Sequence, residues 1–254
     1  RRDDPSTELP IMRGLRPYYH RVEDREKEAE AMEVLLKAEE DPEAKANKRR
    51  ELAAIYGKME HRRADAVRLY GDLFESSPDD WEIRKIFVRL SRELGEQTEA
   101  ARRFEAVRAA LALKADDADA QGRTLDRADA ALRRDILLEL GELLQRDLAR
   151  PQEAERAFGE VLERDETNQV AYEALEKLLL AREGFAELFA FYRRRVDAVF
   201  NQDEQRMLLE RMVGIAVERL QDRASAIQTA EELHELYPED VQVIESLAGM
   251  YAAG

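Results

Sequence analysis

The 254-residue chain contains no cysteine. That removes disulfides, thiolate metal sites and a cysteine nucleophile together, and it leaves cytosol and periplasm both open, with cytoplasm the expected compartment. Histidine is almost as scarce. His20, His61 and His234 lie far apart and form no H-E-x-x-H pair, so a metal site or a general base has little to be built from. The 11 glycines form neither a phosphate-cradling loop nor a G-x-S-x-G elbow, and no Asp-x-Asp-x-Asp-Gly calcium loop occurs. No apolar run approaches the roughly 20 residues of a membrane helix. Positive charge is in deficit: 41 basic against 56 acidic residues, a net charge of −15. Such a chain repels phosphate backbones and anionic membrane surfaces. The expectation is therefore no nucleic acid, no membrane insertion, no cofactor, no metal, no catalytic residue and no enzyme. The abundant carboxylates read as solvated helix faces with Glu/Arg pairs at i, i+4, each worth about 0.2–0.5 kcal/mol. The preference for arginine over lysine reads as gene base composition rather than a demand for guanidinium forks.

What the chain does have is a stretch written three times. Residues 52–80, 140–168 and 212–240 align without a gap over 29 positions, at offsets of 88 and 72. Their middles read AVRLYGDLFESSPDD, AERAFGEVLERDETN and AIQTAEELHELYPED. One such unit cannot bury its apolar face without a neighbour, so a stacked array follows. The difference between the two offsets places an insertion of 16 positions before the second copy, around 114–130. Gly122 is expected to break the chain there, with the next helix starting one or two turns early and protruding.

Helical spacing runs from Val22 to the end, and no alternating strand pattern appears. Asp41-Pro42 and Ser77-Pro78-Asp79 stop helices, Asp79 or Asp80 can cap the next one, and Gly95 suits a helix stop. Residues 1–17 hold three prolines and a glycine. They read as an extended linker or a docked N-terminal segment held through Ile11, Met12 and Leu15. Residues 18–254 form the helical repeat domain. Arg1 in place of a Met, and an apolar face carrying Met250 and Tyr251, read as a piece of a longer array.

The small and aromatic spacing of each copy resembles the tetratricopeptide repeat (TPR). Ala66, Tyr70, Leu73 and Pro78 carry it in the first copy, Ala154, Phe158 and Val161 in the second, and Ala226, Ala230, Leu233 and Pro238 in the third. Ala100, Phe104 and Val107, and again Leu188 and Tyr192, fall in the same register one repeat length after a strong copy. The unit is thus a double repeat, one strong and one degenerate, and the shorter offset is its period. It departs from the family in lacking the first-helix Trp-Leu-Gly-Tyr set. Each strong copy also carries one extra residue between its helices.

The resemblance implies an all-α solenoid of antiparallel helix pairs in a right-handed superhelix, with an inner groove lined by first helices. Register then places Glu82, Lys85, Arg89 and Arg92, followed by Asp135, Leu138, Glu142 and Gln145, in that groove. Glu173, Lys177 and Leu180 follow, with Glu210 and Glu245 further on. The family implies a partner protein or peptide, as in adaptors of bacterial multi-protein machines. The groove or the inserted segment would bind it; a passive spacer within a larger protein is the alternative. Lys85, Arg89 and Arg92 share one helix face that could receive an acidic peptide, or be neutralised by Glu82 and Glu93. Trp81 is expected to plug the space between repeats.

Overall fold

A computed structural model describes residues 5–252 of the chain. Among them are thirteen α-helices and no strand, in two compact units that divide between Ala149 and Arg150. The first unit holds α1 (Pro5–Arg21), α2 (Arg25–Lys37), α3 (Pro42–Gly57), α4 (Arg63–Ser76), α5 (Trp81–Leu94), α6 (Gln97–Ala120) and α7 (Arg127–Glu142). The second holds α8 (Pro151–Leu162), α9 (Gln169–Ala181), α10 (Phe185–Ala198), α11 (Gln202–Ile215), α12 (Arg223–Leu236) and α13 (Val241–Ala252). Within each unit, a helix packs chiefly on the helices just before and just after it in sequence. This is a succession of antiparallel helix pairs. The division falls inside the second copy of the repeat, between α7 and α8.

The repeated residues occupy equivalent places. Ala66, Ala154 and Ala226 are fully buried, where a larger side chain would hold the packed helices apart, and Tyr70 and Phe158 are buried one turn on. In the first unit Phe74 packs between Phe104 and Phe87, with ring centroids at 4.7 and 5.8 Å. The last residue of every copy is a helix N-cap: Asp80, Asn168 and Asp240 each accept backbone N–H groups at the start of the next helix.

The extra residue of the strong copies has a structural counterpart. After α7 and after α11 the helix widens into a π-helical turn, Leu143–Asp147 and Ala216–Leu220, which absorbs one residue without breaking the helix. Each turn is closed by a left-handed residue, Ala149 (φ 52°) and Gln221 (φ 54°), at equivalent positions of the two copies. The first copy solves the same problem differently, with Met59 extended and a 3-10 turn at Glu60–Arg62.

The degenerate hairpins carry their own signature. Glu23, Gly95 and Glu183 are all left-handed, with φ of 56°, 75° and 57°. Their spacings repeat the two offsets of the strong copies, so α1/α2, α5/α6 and α9/α10 are three versions of one hairpin.

Two expectations are corrected here. The segment at residues 1–17 is not an extended linker: it is helical from Pro5 onward and packs on α2, residues 1–4 lying outside the described chain. Pro10 and Pro17 each delete one backbone bond, but two helical turns apart they share one exposed face, and packing of the other face outweighs them. Ile11 and Leu15 are exposed rather than docking residues. They hold the register of Ile83 and Phe87, which are buried in α5, a helix packed against α4; no described helix precedes α1. The second correction concerns the insertion at 114–130. In register, the end of α2 corresponds to position 109 and the start of α3 to position 130. Since α6 runs to Ala120 and α7 starts at Arg127, most of the insertion lengthens α6, and the rest is shared between the turn and the start of α7. The protrusion belongs mainly to α6, with Leu113 69% exposed on it, and Gly122 (φ 64°) lies in the turn as expected.

Gly71 and Gly159 occupy the same repeat position and make opposite predictions. A Cβ at Gly71 would sit 2.7 Å from Arg103 Cδ and Nε. That side chain is held by Asp72 (2.8 Å), Glu99 (3.0 Å) and Glu75 (3.3 Å). A Cβ at Gly159 meets nothing within 4 Å. Replacing glycine by alanine inside a helix gains about 1 kcal/mol in propensity. Gly159→Ala is therefore expected to stabilise by up to about 1 kcal/mol, whereas Gly71→Ala destabilises by displacing a buried, triply paired guanidinium. Chemical denaturation of both variants checks this, and stabilisation by Gly71→Ala would contradict it.

Candidate interaction surface

The surface begins with α5. Asp80 Oδ1 accepts the N–H groups of Glu82 and Ile83, fixing where the helix starts. Ile83, Phe87 and Leu90 then face the core, and the helical period turns Glu82, Lys85, Arg89 and Arg92 outward, all exposed. Trp81 does not plug a gap between repeats. It is 59% exposed, with Lys85 Nζ 5.5 Å from its ring centre, because its place at the first position of α5 lies outside the packed stripe.

The cations on this face are differently committed. Arg92 Nε donates to Asp147 at 2.7 Å, bridging α5 to the π-helical turn after α7. Arg89 is loosely paired with Glu93 at 3.8 Å. Among the described residues Lys85 meets only the tryptophan ring.

Beside α5, α7 contributes Asp135, Leu138 and Glu142, all half-buried, with Gln145 just beyond in the π-helical turn. Asp135 is held by its neighbour Arg134 at 3.1 Å, and Glu142 by Arg146. Between them Glu139 pairs at 2.8 Å with the buried Arg84 of α5, whose guanidinium also donates to the Pro78 carbonyl at 2.8 Å. Desolvation pushes the Glu139 carboxyl above its ordinary value, and neighbouring Asp135 and Glu142 add to this, while Arg84 opposes it. The structure thus sets a cationic row on α5 beside an acidic one on α7.

Glu173, Lys177 and Leu180 belong to α9 in the second unit; all three are exposed, and Glu173 accepts from Gln169 at 3.0 Å. Glu210 pairs with Arg206 at 2.8 Å, and Glu245 is exposed on α13.

Sequence reading missed the ion pairs that join one first helix to the next. Arg16 to Glu51, Arg50 to Asp80 and Arg84 to Glu139 join α1, α3, α5 and α7 in the first unit. Glu176 to Arg211 and Arg206 to Asp240 do so for α9, α11 and α13 in the second. The partners stand on different hairpins, beyond any i, i+4 search. Buried forks were missed as well. Arg195, 7% exposed, binds Glu204 (2.9 Å), the Glu166 carbonyl (2.9 Å) and Gln169 (3.2 Å), so guanidinium geometry is in demand here despite the reading from base composition.

The buried phenol of Tyr192, hydrogen-bonded to Glu176 at 2.6 Å, is pushed up to about 12, first by desolvation. His20 and His61 each face one carboxylate, Glu28 at 2.8 Å and Glu26 at 2.7 Å. No group of three His, Asp or Glu side chains among the described residues could hold a metal ion. No described helix is long and apolar enough to cross a membrane.

No family model and no curated protein matches this chain. Among solved structures it is similar to a tetratricopeptide repeat protein from Parabacteroides merdae, at 13% identity and a TM-score of 0.40, covering 96% of this chain and 99% of that one. It is similar also to the C-terminal part of a TPR repeat-containing protein from Cytophaga hutchinsonii (13%, TM-score 0.41, 94% and 93% covered). A third is YrrB, a TPR protein described as having an unusual peptide-binding site (12%, TM-score 0.38, 86% and 98% covered). At these scores the helical-repeat architecture stands on the chain's own register and packing.

The Arg84–Glu139 pair yields a pH prediction. A carboxyl raised in the fold binds protons more tightly than in the unfolded chain, so its contribution to stability falls as pH rises from the unfolded value through the folded one. Arg84→Met removes the one cation opposing that shift. Its stability deficit relative to the parent should be larger at pH 7 than at pH 4, read from thermal unfolding at both. A deficit independent of pH would show that the pair is not what holds Glu139 ionised.

Proposed function

We propose that this chain is a non-catalytic scaffold that binds a partner protein or peptide through the first-helix surface of α5 and α7. The observation that carries the reading is the exposed Trp81 with Lys85 beside it and the loosely held Arg89 one turn further on. An indole and two available cations on one helix face can take an acidic segment, by charge-assisted hydrogen bonds and by stacking. Asp135 and Glu142 on α7 would set polarity by repelling the wrong end of such a segment. On this reading Leu113 on the lengthened α6 offers a second foothold. Arg92, engaged by Asp147, shapes the surface instead of binding. The alternative of a passive spacer is favoured by that same engagement, since part of the basic row then serves the scaffold itself.

The two readings separate in one experiment. Each charge-assisted bond lost removes about 1.5–3 kcal/mol, so reversing Lys85 and Arg89 to Glu should weaken partner capture by about a hundredfold or more. Affinity capture from native extract with the parent and with the K85E/R89E variant, both checked by circular dichroism, gives the answer. Partners retained by the parent and lost by the variant support the scaffold; identical captured sets support the spacer.

A further inference from the structure

A second feature lies elsewhere in the first unit, in a cleft of about 390 Å³ among α2, α3 and α4 that shares no lining residue with the α5 surface. Its floor is apolar, made by Leu36, Leu52 and Leu69. Its rim is cationic: Lys37 from α2, Lys45 and Arg49 from α3, Arg68 from α4, and Arg62. Arg62 and Arg68 share Asp65, at 2.6 and 3.1 Å. The only acid in the lining, Glu33, accepts from the Tyr56 hydroxyl and from Arg62 at 3.2 Å. The side chains of Lys37, Lys45 and Arg49 make no ion pair or hydrogen bond among the described residues. Three unpaired cations round one cleft stand out in a chain of net charge −15.

The third copy shows that the fold does not require them, although the second keeps arginine at the positions of Lys45, Arg62 and Arg68. At the same register in the third copy stand Asp197, Gln205, Leu209, Asp222 and Gln228, with no cation among the five. Arg49 is the most telling. Its equivalents, Leu137 and Leu209, are 2% and 0% exposed core residues. Arginine at a core leucine position, half-buried and unpaired, forgoes packing and carries a desolvation cost that no carboxylate of the described chain offsets.

We infer that this cleft binds an acidic peptide segment carrying an aliphatic side chain between its carboxylates. The carboxylates would bridge Lys37, Lys45 and Arg49, and the aliphatic group would cover the leucine floor. A small inorganic anion would satisfy the rim and leave the floor wet; an apolar peptide would leave the cations unpaired. The amphipathic combination answers both. This site is independent of the proposed α5 surface and can fail or hold without it.

The test uses the whole chain and a fluorescein-labelled peptide, Glu-Glu-Leu-Glu-Glu-Leu-Glu, followed by fluorescence anisotropy. Binding should be saturable and weaken on raising salt to about 0.3 M, where screening shortens to a few ångströms. Arg49→Leu installs the core solution of the other copies. It is expected to raise the unfolding temperature or leave it unchanged while weakening the peptide by at least about tenfold. K37Q/K45Q, on the rim, should weaken it comparably without touching the core. K85E/R89E should bind as the parent does, which separates this site from the α5 surface. The inference is overturned if the parent does not bind, if Arg49→Leu and K37Q/K45Q bind like the parent, if inorganic phosphate displaces the peptide at equal charge, or if K85E/R89E weakens it equally.

Discussion

The structure depends on close approach between a helix and its neighbours in sequence at positions where only a small side chain fits. Ala66 in one unit and Ala226 in the other are fully buried at such points. Almost every other feature follows from keeping those approaches in register: a capping residue at the same place in each copy, an aromatic or small residue one turn further on, and a π-helical turn where one residue must be lost from the count. An array of this kind stores its stability in nearest-neighbour contacts. That frees the outward faces from structural duty, and there the copies diverge.

Much of this is legible in the sequence because repetition amplifies weak signals. A single alanine says little; alanines at 66, 154 and 226, with a capping Asp or Asn at 80, 168 and 240, define a unit. The helix from Trp81 to Leu94 is readable for that reason. The N-terminal helix is not, because local chemistry alone makes breakers of prolines 10 and 17. The degenerate hairpin of α1 and α2 announces itself most plainly through Glu23, whose left-handed conformation matches Gly95 and Glu183. Nothing in a glutamate's identity reveals that. The π-helical turns are visible as one extra residue per copy, a count without a geometry.

The candidate surfaces are less legible. Register turns Lys85, Arg89 and Arg92 to solvent, since the 3.6-residue period decides facing. It cannot say which cations are already engaged, because their partners are set by tertiary packing. Asp147 reaches Arg92, and Glu139 reaches Arg84, from a helix two places further along the chain. Trp81 misleads for a related reason: apolar character suggests burial, but facing is fixed by position in the turn, and position 81 precedes the buried stripe of Ile83, Phe87 and Leu90.

Repeats offer a comparison that a single globular domain does not, since the same chain shows what a position needs when only packing is asked of it. Leucine at 137 and 209 is that answer; arginine at 49 is a departure from it. A guanidinium cannot replace dispersion contacts over a leucine floor, so the departure lowers the stability of the first hairpin pair relative to its own siblings. The loss is local, because each pair is held mainly by its neighbours, and the buried Phe74, Phe87 and Phe104 cluster next to it remains intact. A modular scaffold can thus weaken one joint without unfolding the rest. A surface that accepts such a loss where a leucine would have served is better explained by a ligand than by packing.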